Sequence, residues 1–176
     1  MDENKTNIAK AVIAGGCFWC LEHSMRELDG VVDVKCGYTA GHTENPSYRQ
    51  VTTGTTGHAE ALEVSYDPSK LSYADILQKF FTSHNPTQLN RQGVDIGTQY
   101  RSAIFYATED ERDIAQKIIR ELDASGTFKT PIVTAVEPIS PFWLAEEYHQ
   151  QYYDKYEKET GQTHIRLQLK RKGKLK

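Results

Sequence analysis

The feature that most constrains this fold is the alternation of short apolar runs with amphipathic helical patterns. The run AVIAG at 11–15 stops at a Gly-Gly pair, which predicts a buried strand followed by a turn. Directly after it, apolar residues recur three and four positions apart from Phe18 to Leu28, as on one face of a helix. The chain is therefore predicted to pass from strand to helix at Cys17.

The alternation continues along the chain and predicts the fold class. Four more runs predict strands: GVVDVKCGYT, HAEALEVSYDP, YRSAIFYAT and PIVTAVEP. Capped amphipathic patterns predict helices after Ser72 and Thr108, and Ser140 predicts the start of a last helix. This order predicts one α+β domain, a two-layer sandwich in which helices pack on a mixed β-sheet with a ferredoxin-like core. Two long polar segments, 39–57 and 83–99, are predicted to be site-building loops.

Charge is distributed unevenly along the chain. The final stretch, RLQLKRKGKLK, holds six basic residues and no acid, although the whole chain has a net charge of −3. We therefore predict a globular domain at 1–160 and a basic tail at 161–176, which we expect to be solvated and flexible. Because the rest of the chain is acidic, it lacks the basic face that nucleic-acid binding needs.

Hydropathy and cysteine content bear on the compartment. No apolar run approaches the ~18 residues of a membrane span. The polar start, MDENKTNIAK, lacks the apolar segment of a secretory signal, so a cytoplasmic location is expected. In that reducing compartment the three cysteines are not expected to form a structural disulfide. A close cysteine pair is then more typical of catalysis or metal binding.

A C-x-x-C pair, Cys17 and Cys20, lies at the predicted start of the first helix. The positive end of the helix dipole should lower the pKa of Cys17 and favour a nucleophilic thiolate, whereas the alternative is a small buried apolar residue. The pair could be a redox dithiol, half of a zinc site or a chance match. Zinc is disfavoured because only Cys36 and scattered histidines remain as ligands. Between the cysteines, Phe18 and Trp19 would form an apolar wall for a small substrate group.

Glu60 is the main candidate for an acid. It shares a face of its predicted strand with Leu62 and Val64, and burial there would keep its carboxyl neutral near pH 7. A proton donor and a solvated strand end are equally consistent with this position. Further polar candidates lie on the loops and the last helix: Tyr48, Asp95, Tyr100 and His149.

Five segments, in this order, resemble the A-type peptide methionine sulfoxide reductases: GGCFWCLE, GYTAGHTENPSYRQV, TGHAEALEVSYDP, RQGVDIGTQYRSAIFY and AEEYHQQY. The resemblance spans about 11–156 and leaves the basic tail outside. It implies an enzyme that repairs oxidative damage by reducing the S epimer of methionine sulfoxide, free or in proteins, to methionine. It also implies no bound cofactor or metal, and an external reductant, thioredoxin or, in vitro, dithiothreitol.

The resemblance also implies roles for individual residues. Cys17 matches the nucleophile, whose thiolate attacks the sulfoxide sulfur and is left as a sulfenic acid. Phe18 and Trp19 match the pocket for the substrate methyl group, and Glu60 matches the acid that protonates the sulfoxide oxygen. Tyr48 and Tyr100 match two hydroxyls that bind that oxygen. Asp95 matches a residue that orients the substrate, and His149 matches a pocket residue without a chemical step.

One departure from the family concerns the second thiol. Many members have glycine at the position of Cys20 and a resolving cysteine near the C-terminus, but this chain has no cysteine after Cys36. We expect Cys20 to attack oxidised Cys17, because an i, i+3 pair at a helix start lies within the ~7 Å between Cα atoms that a disulfide needs. Cys36 is the less favoured resolving residue. Thioredoxin would then reduce the disulfide.

Two other functions compete with this reading. One is a general C-x-x-C dithiol–disulfide oxidoreductase, and the other is a module that binds oxidised methionine without turning it over. The expected partners of the reductase are methionine sulfoxide and thioredoxin, with no nucleic acid and no membrane. We expect the protein to be a monomer.

Overall fold

A six-stranded sheet forms the centre of the fold. The computed structural model describes residues 7–174 of the 176. Within them the strands are β1 (Ala9–Gly15), β2 (Val31–Thr39), β3 (Ala59–Tyr66), β4 (Arg91–Gln92), β5 (Asp95–Ile96), β6 (Ser102–Tyr106), β7 (Ala135–Pro138) and β8 (Trp143–Leu144). The helices are α1 (Phe18–Arg26), α2 (Tyr48–Thr52), α3 (Tyr73–Ser83), α4 (Glu109–Ala124), α5 (Tyr152–Thr160) and α6 (Ile165–Arg171). Short 3-10 helices occur at Thr98–Tyr100 and Glu147–His149.

The sheet is mixed, as the sequence predicted. Its strand order is β7-β6-β1-β3-β2-β8, and β4 pairs only with β5 in a separate hairpin. Neighbouring strands of the large sheet are antiparallel, except that β7 runs parallel to β6. Helix α1 packs against β2 and α3, and α3 packs against α4. The predicted α+β fold, one domain with helices on a mixed sheet, is confirmed.

Helices α3 and α4 begin where their capping patterns predicted. At the start of α3, the Ser72 side chain accepts a hydrogen bond from the Asp75 backbone at 3.1 Å, and the Asp75 carboxylate accepts one from the Ser72 backbone at 2.9 Å. Thr108 caps α4 by accepting from the Glu111 backbone. Each cap satisfies N–H groups that the first helical turn leaves unpaired, which fixes the residue at which the helix begins.

The predicted last helix from Ser140 is wrong in its first half. The chain instead adds β8 to the edge of the sheet, where Trp143 pairs with Tyr38 of β2. Gly37 permits this approach, because a Cβ atom there would lie 2.3 Å from the ring of Phe142. Helix formation is delayed until α5, since pairing with β2 satisfies backbone groups that a helix would otherwise satisfy.

The basic tail also differs from its prediction as a flexible segment. Residues 165–171 form α6, in which the side chain of Leu167 is only 3% exposed. Two cations one turn apart flank that leucine: Arg166 pairs with Asp95 of β5, and Lys170 donates to Ser24 of α1 at 2.9 Å. One apolar anchor and two cations with partners therefore hold the tail against the site-bearing side of the fold.

No helix between residues 7 and 174 is both long enough and apolar enough to cross a membrane. Residues 1–6, part of the polar start used above to argue against a secretory signal, lie outside the described residues. Residues 175–176 of the basic tail lie outside them as well.

The packing of α6 predicts a measurable contribution to stability. Leu167→Ala removes its buried anchor and should lower the free energy of unfolding by about 2–5 kcal/mol. Urea denaturation measures the change. Ile165→Ala, at a 59% exposed position of the same helix, is the matched control and should change it by less than about 0.5 kcal/mol. Equal effects of the two substitutions would contradict the packing of α6.

Candidate active site

Cys17 lies at the junction between β1 and α1, as predicted. Gly16 makes the turn with φ +86°, a conformation that side-chain-bearing residues rarely adopt, and a Cβ there would lie 2.6 Å from Gln92. Cys17 is the N-cap of α1 and accepts a hydrogen bond from the Cys20 backbone at 3.2 Å. Cys17 is 9% exposed, so its thiol lies at the base of a cleft and not on the open surface.

Glu60 is buried beside the start of α1. It lies in β3 opposite Tyr38 of β2 and is 2% exposed, so the alternative of a solvated strand end is wrong. Its Oε2 atom accepts a hydrogen bond from the Phe18 backbone at 3.2 Å. Burial, opposed by the hydrogen bond from the Phe18 N–H and assisted by the charge of Asp95, raises the pKa of Glu60 to about 8. At neutral pH the carboxyl therefore carries a proton that it can donate.

Two phenol groups lie within electrostatic reach of Glu60 and Cys17. Burial, followed by the charge of Glu60, raises the pKa of Tyr48 to about 12 and raises that of Tyr100 further above its ordinary value. Both hydroxyls therefore keep their protons and can donate hydrogen bonds. Tyr48 begins α2 within the first predicted site-building loop, and Tyr100 ends the 3-10 helix directly after the second.

An aromatic wall is built around Trp19 and His149. Trp19 stacks on Tyr152 with ring centroids 3.8 Å apart, and its Nε1–H donates to His149 Nδ1 at 3.0 Å. His149 also lies edge-on to Tyr48, with centroids 4.5 Å apart. Phe18 is 1% exposed and packs on His149 from below. Trp19 is therefore the more accessible part of the wall, and Phe18 is its support.

His149 and Glu146 organise this wall. His149 is fully buried, and its Nε2 atom has no hydrogen-bond partner among the described residues; Glu146 Oε2 lies 3.7 Å away. Burial lowers the pKa of His149, so the ring is neutral and its Nδ1 accepts from Trp19. Glu146 also accepts from the Tyr38 hydroxyl and the Tyr48 backbone, both at 3.2 Å. The sequence analysis did not single out Glu146.

The expected lowering of the Cys17 pKa is wrong for the reduced enzyme. The adjacent Cys20 thiol, burial and the charge of Glu60 all raise the pKa of Cys17 well above its ordinary value. The adjacent Cys17 thiol, a hydrogen bond from Tyr153 and the charges of Lys170 and Arg166 lower the pKa of Cys20 to about 6, although burial opposes them. The two thiols therefore titrate together, and the Tyr153 hydroxyl and the two cations favour the negative charge on Cys20.

The two cysteines open onto a cleft of about 50 Å³ that the basic tail helps to enclose. Asp95, predicted to orient the substrate, lines this cleft and pairs with Arg166 at 2.5 Å. Lys170 lines it as well. Sequence reasoning missed both cations because the tail was taken as solvated, although their i, i+4 spacing around Leu167 is the pattern of a packed helix face.

Cys36 is placed differently from the other two thiols. It is fully buried between β2 and α1, with its sulfur 4.0 Å from the Phe18 carbonyl oxygen. Burial and the charge of Glu22 raise its pKa well above the ordinary value. Cys36 does not line the cleft that Cys17 and Cys20 share. Its position fits a small buried residue better than a resolving thiol.

The described residues also bear on metal binding. Between residues 7 and 174, no group of three His, Cys, Asp or Glu side chains is placed to hold a metal ion. The three cysteines are free. The reactive groups described above are the Cys17–Cys20 thiol pair, the neutral Glu60 carboxyl and the Tyr48 and Tyr100 phenols.

Comparison with known proteins decides the family. The family model described as peptide methionine sulfoxide reductase matches residues 9–176. The chain belongs to this family. The match includes the basic tail, which the resemblance noted above had left outside.

Individual relatives place the chain in the A type of peptide methionine sulfoxide reductase. The peptide methionine sulfoxide reductase MsrA of Chromobacterium violaceum is 55% identical over 144 residues, which are 82% of each chain. Mxr1 from Saccharomyces cerevisiae in its reduced form has a TM-score of 0.82 at 36% identity, covering 93% of this chain and 92% of that one. The structure of Mxr1 in complex with Trx2 has a TM-score of 0.58 at 26% identity, covering 86% and 89%.

The family fixes the reaction. This chain is an oxidoreductase that reduces methionine sulfoxide with a thiol, as the resemblance implied. A general dithiol–disulfide oxidoreductase is not favoured. The neutral carboxyl beside a thiol at a helix start accords with this chemistry, because a sulfoxide oxygen needs a proton before its sulfur accepts a nucleophile.

The buried carboxyl predicts a pH dependence of stability. Between about pH 4.5 and 8 the folded chain holds a proton on Glu60 that the unfolded chain has released, so the wild type should lose stability as pH rises through this window. Glu60→Gln removes that loss, and its free energy of unfolding relative to the wild type should rise by a few kcal/mol from pH 4.5 to 8. Urea titrations at several pH values measure it, with Glu63→Gln, on the same strand, as the control. A difference independent of pH would contradict a neutral Glu60.

Proposed function

We propose that Cys17, Glu60 and the two phenols carry out the reduction of methionine-S-sulfoxide, free or in proteins. The observation that carries this proposal is the hydrogen bond from the Phe18 backbone to the buried Glu60 carboxyl. It ties the proton donor to the residue that follows the nucleophile. The donor and the sulfur therefore face the same bound sulfoxide from fixed positions, as general acid catalysis requires.

The first half of the reaction transfers the sulfoxide oxygen to Cys17. The Cys17 sulfur attacks the sulfoxide sulfur while Glu60 protonates the oxygen, and Tyr48 and Tyr100 donate hydrogen bonds to it. The thiol proton of Cys17 is released to solvent, so the Cys20 sulfur stays ionised for the second half. Methionine leaves, its sulfur reduced by two electrons, and Cys17 is oxidised by two electrons to a sulfenic acid that carries the hydroxyl.

The aromatic wall supports recognition of the substrate. Trp19, two residues after the nucleophile, is held by its stack on Tyr152 and its hydrogen bond to His149. We propose that Trp19, supported by Phe18, holds the methyl group of the sulfoxide. Asp95 orients the rest of the substrate at the rim of the cleft. With the methyl group held there and the oxygen held by the donors, only one epimer presents its sulfur to Cys17.

The second half of the reaction is proposed to use Cys20. It lies one helical turn after Cys17 and shares its cleft, whereas Cys36 is enclosed beneath α1. Attack of Cys20 on the sulfenic acid gives a Cys17–Cys20 disulfide and water. We propose that thioredoxin reduces this disulfide, which the complex of the related Mxr1 with Trx2 supports. Dithiothreitol replaces it in vitro, no cofactor is bound, and the enzyme acts as a monomer in the cytoplasm.

Three cysteine variants test this assignment of the thiols. Cys17→Ser should release no methionine even with dithiothreitol, because the nucleophile is lost. Cys20→Ser should release one methionine per enzyme and then fail to turn over with thioredoxin. Cys36→Ser should recycle like the wild type. The measurements are methionine release and mass-spectrometric mapping of the disulfide formed after one turnover; a Cys17–Cys36 bond would overturn the resolving role of Cys20.

The acid role of Glu60 predicts a separate kinetic loss. Glu60→Gln keeps the shape and one hydrogen-bond acceptor but has no proton of suitable acidity, so the rate of the first methionine release should fall by about 10²–10⁴. Wild-type activity should also decline as pH rises through about 8. Rapid quench after a single turnover measures both. A loss below tenfold would contradict proton donation by Glu60.

A further inference from the structure

Cys20 has a second contact that the reaction as proposed so far leaves without a role. Its Sγ atom lies 3.0 Å from the hydroxyl oxygen of Tyr153, the second residue of α5. Tyr153 is 4% exposed, so its hydroxyl reaches the sulfur from inside the protein and not from solvent. Its ring packs edge-on to Trp19 at 6.4 Å, which leaves the hydroxyl as the polar part directed at Cys20.

The basic tail contacts Cys20 from another direction. The Lys170 ammonium donates to the Cys20 carbonyl oxygen at 3.4 Å and to Ser24 on the next turn of α1 at 2.9 Å. Arg166 lies one turn earlier on the same side of α6, and both side chains line the cleft of the two thiols. Cys20 is therefore held between α5 and α6.

The groups near Cys20 are cations, hydrogen-bond donors and acids. Arg166 and Lys170 are cations, and Tyr153 and Cys17 are donors when protonated; Glu60 is a nearby acid, and Asp95, paired with Arg166, lines the same cleft together with His84. Burial and the charge of Cys20 raise the pKa of Tyr153 far above its ordinary value, so the phenol keeps its proton. In the contact between the two residues, the tyrosine hydroxyl therefore donates and the Cys20 sulfur accepts.

We propose that Tyr153 is a catalytic residue of the resolving step, whose hydroxyl holds the Cys20 sulfur as an aimed thiolate, with Lys170 as a positioning residue. This inference rests on the proposed function, in which Cys20 resolves the sulfenic acid. The Cys20 thiolate attacks the Cys17 sulfur; the S–S bond forms and the S–O bond breaks. Cys20 is oxidised and Cys17 is reduced, each by one electron. The hydroxide that leaves takes a proton from solvent and becomes water.

The arrangement explains how one turn of helix can supply a reactive second thiol. Cys20 lies beyond the N-terminal residue of α1 and has its own N–H engaged with Cys17. It therefore gains less from the helix dipole, which acts mainly at the helix end. A hydrogen bond from a buried hydroxyl and two cations from α6 replace that contribution. Hydrogen bonds to a charged acceptor are among the stronger ones in proteins, so the Tyr153 contact outweighs either cation and is second only to the adjacent Cys17 thiol.

Tyr153→Phe tests the proposal because it removes only the hydroxyl. After mixing with one equivalent of methionine sulfoxide, methionine release should stay within twofold of the wild type. Disulfide formation at pH 7 should slow at least tenfold. The pH midpoint for alkylation of Cys20 by iodoacetamide, followed by site-resolved mass spectrometry, should rise by at least one unit. Tyr156→Phe makes the same change one turn later on α5 and serves as the matched control.

A rescue by pH separates catalysis from structural damage. At pH 9 the Cys20 thiol of Tyr153→Phe should ionise without help, and disulfide formation should return to within threefold of the wild type. A variant that is slow at every pH would overturn the proposal. If Tyr153→Phe does not fold, Lys170→Gln should raise the same alkylation midpoint, and an unchanged midpoint would overturn it.

The outcomes also separate this inference from the function on which it rests. If Cys20→Ser still recycles with thioredoxin, the resolving role of Cys20 fails and the inference fails with it. If Cys20→Ser blocks recycling but Tyr153→Phe forms the disulfide at the wild-type rate, only the inference fails.

Discussion

The hydrogen bond between the Phe18 backbone and the Glu60 carboxyl joins the two halves of the active site. It connects the first turn of α1 to β3, an inner strand of the sheet, at 3.2 Å and across 42 residues of chain. Because Phe18 follows Cys17 directly, this contact fixes the acid relative to the sulfur. It also satisfies one N–H that the start of a helix leaves unpaired. A buried carboxyl without this partner would be harder to keep in the core.

The site separates its charges by environment. Burial raises the pKa of Glu60 to about 8, while its neighbours lower that of Cys20 to about 6. Near pH 7 one carboxylic acid and one thiolate therefore coexist around Cys17. Each half of the reaction needs one of them: a proton for the departing oxygen, then a nucleophile for the oxidised sulfur. Groups whose pKa values are moved in opposite directions mark such roles.

Local patterns in the sequence predicted most of the fold and the first half of the chemistry. The junction at Cys17 was readable because a Gly-Gly turn stops an apolar run, and the burial of Glu60 was one of two readings of strand alternation. The edge strand at Trp143 could not be predicted in this way, because its pairing with β2 is a contact between distant residues that overrides a local helix signal. The packing of the basic tail as α6 was not predicted, because its positive charges were considered without the apolar Leu167 between Arg166 and Lys170.

The charge on Cys20 could not be predicted from the spacing of the cysteines. Helix position alone favoured Cys17, but the second sulfur, the Tyr153 hydroxyl and the cations of α6 reverse that order. Two of those three influences come from parts of the chain more than 130 residues away. Their partners are defined only by the folded structure.

The place of α6 in the chain has a consequence for biosynthesis. Arg166 and Lys170 follow every other described element in order of translation, yet they lie beside the second cysteine, near the start. A growing polypeptide can assemble its sheet, nucleophile and proton donor before these cations leave the ribosome. The redox pair thus acquires its complete environment only after α6 has been translated and has docked.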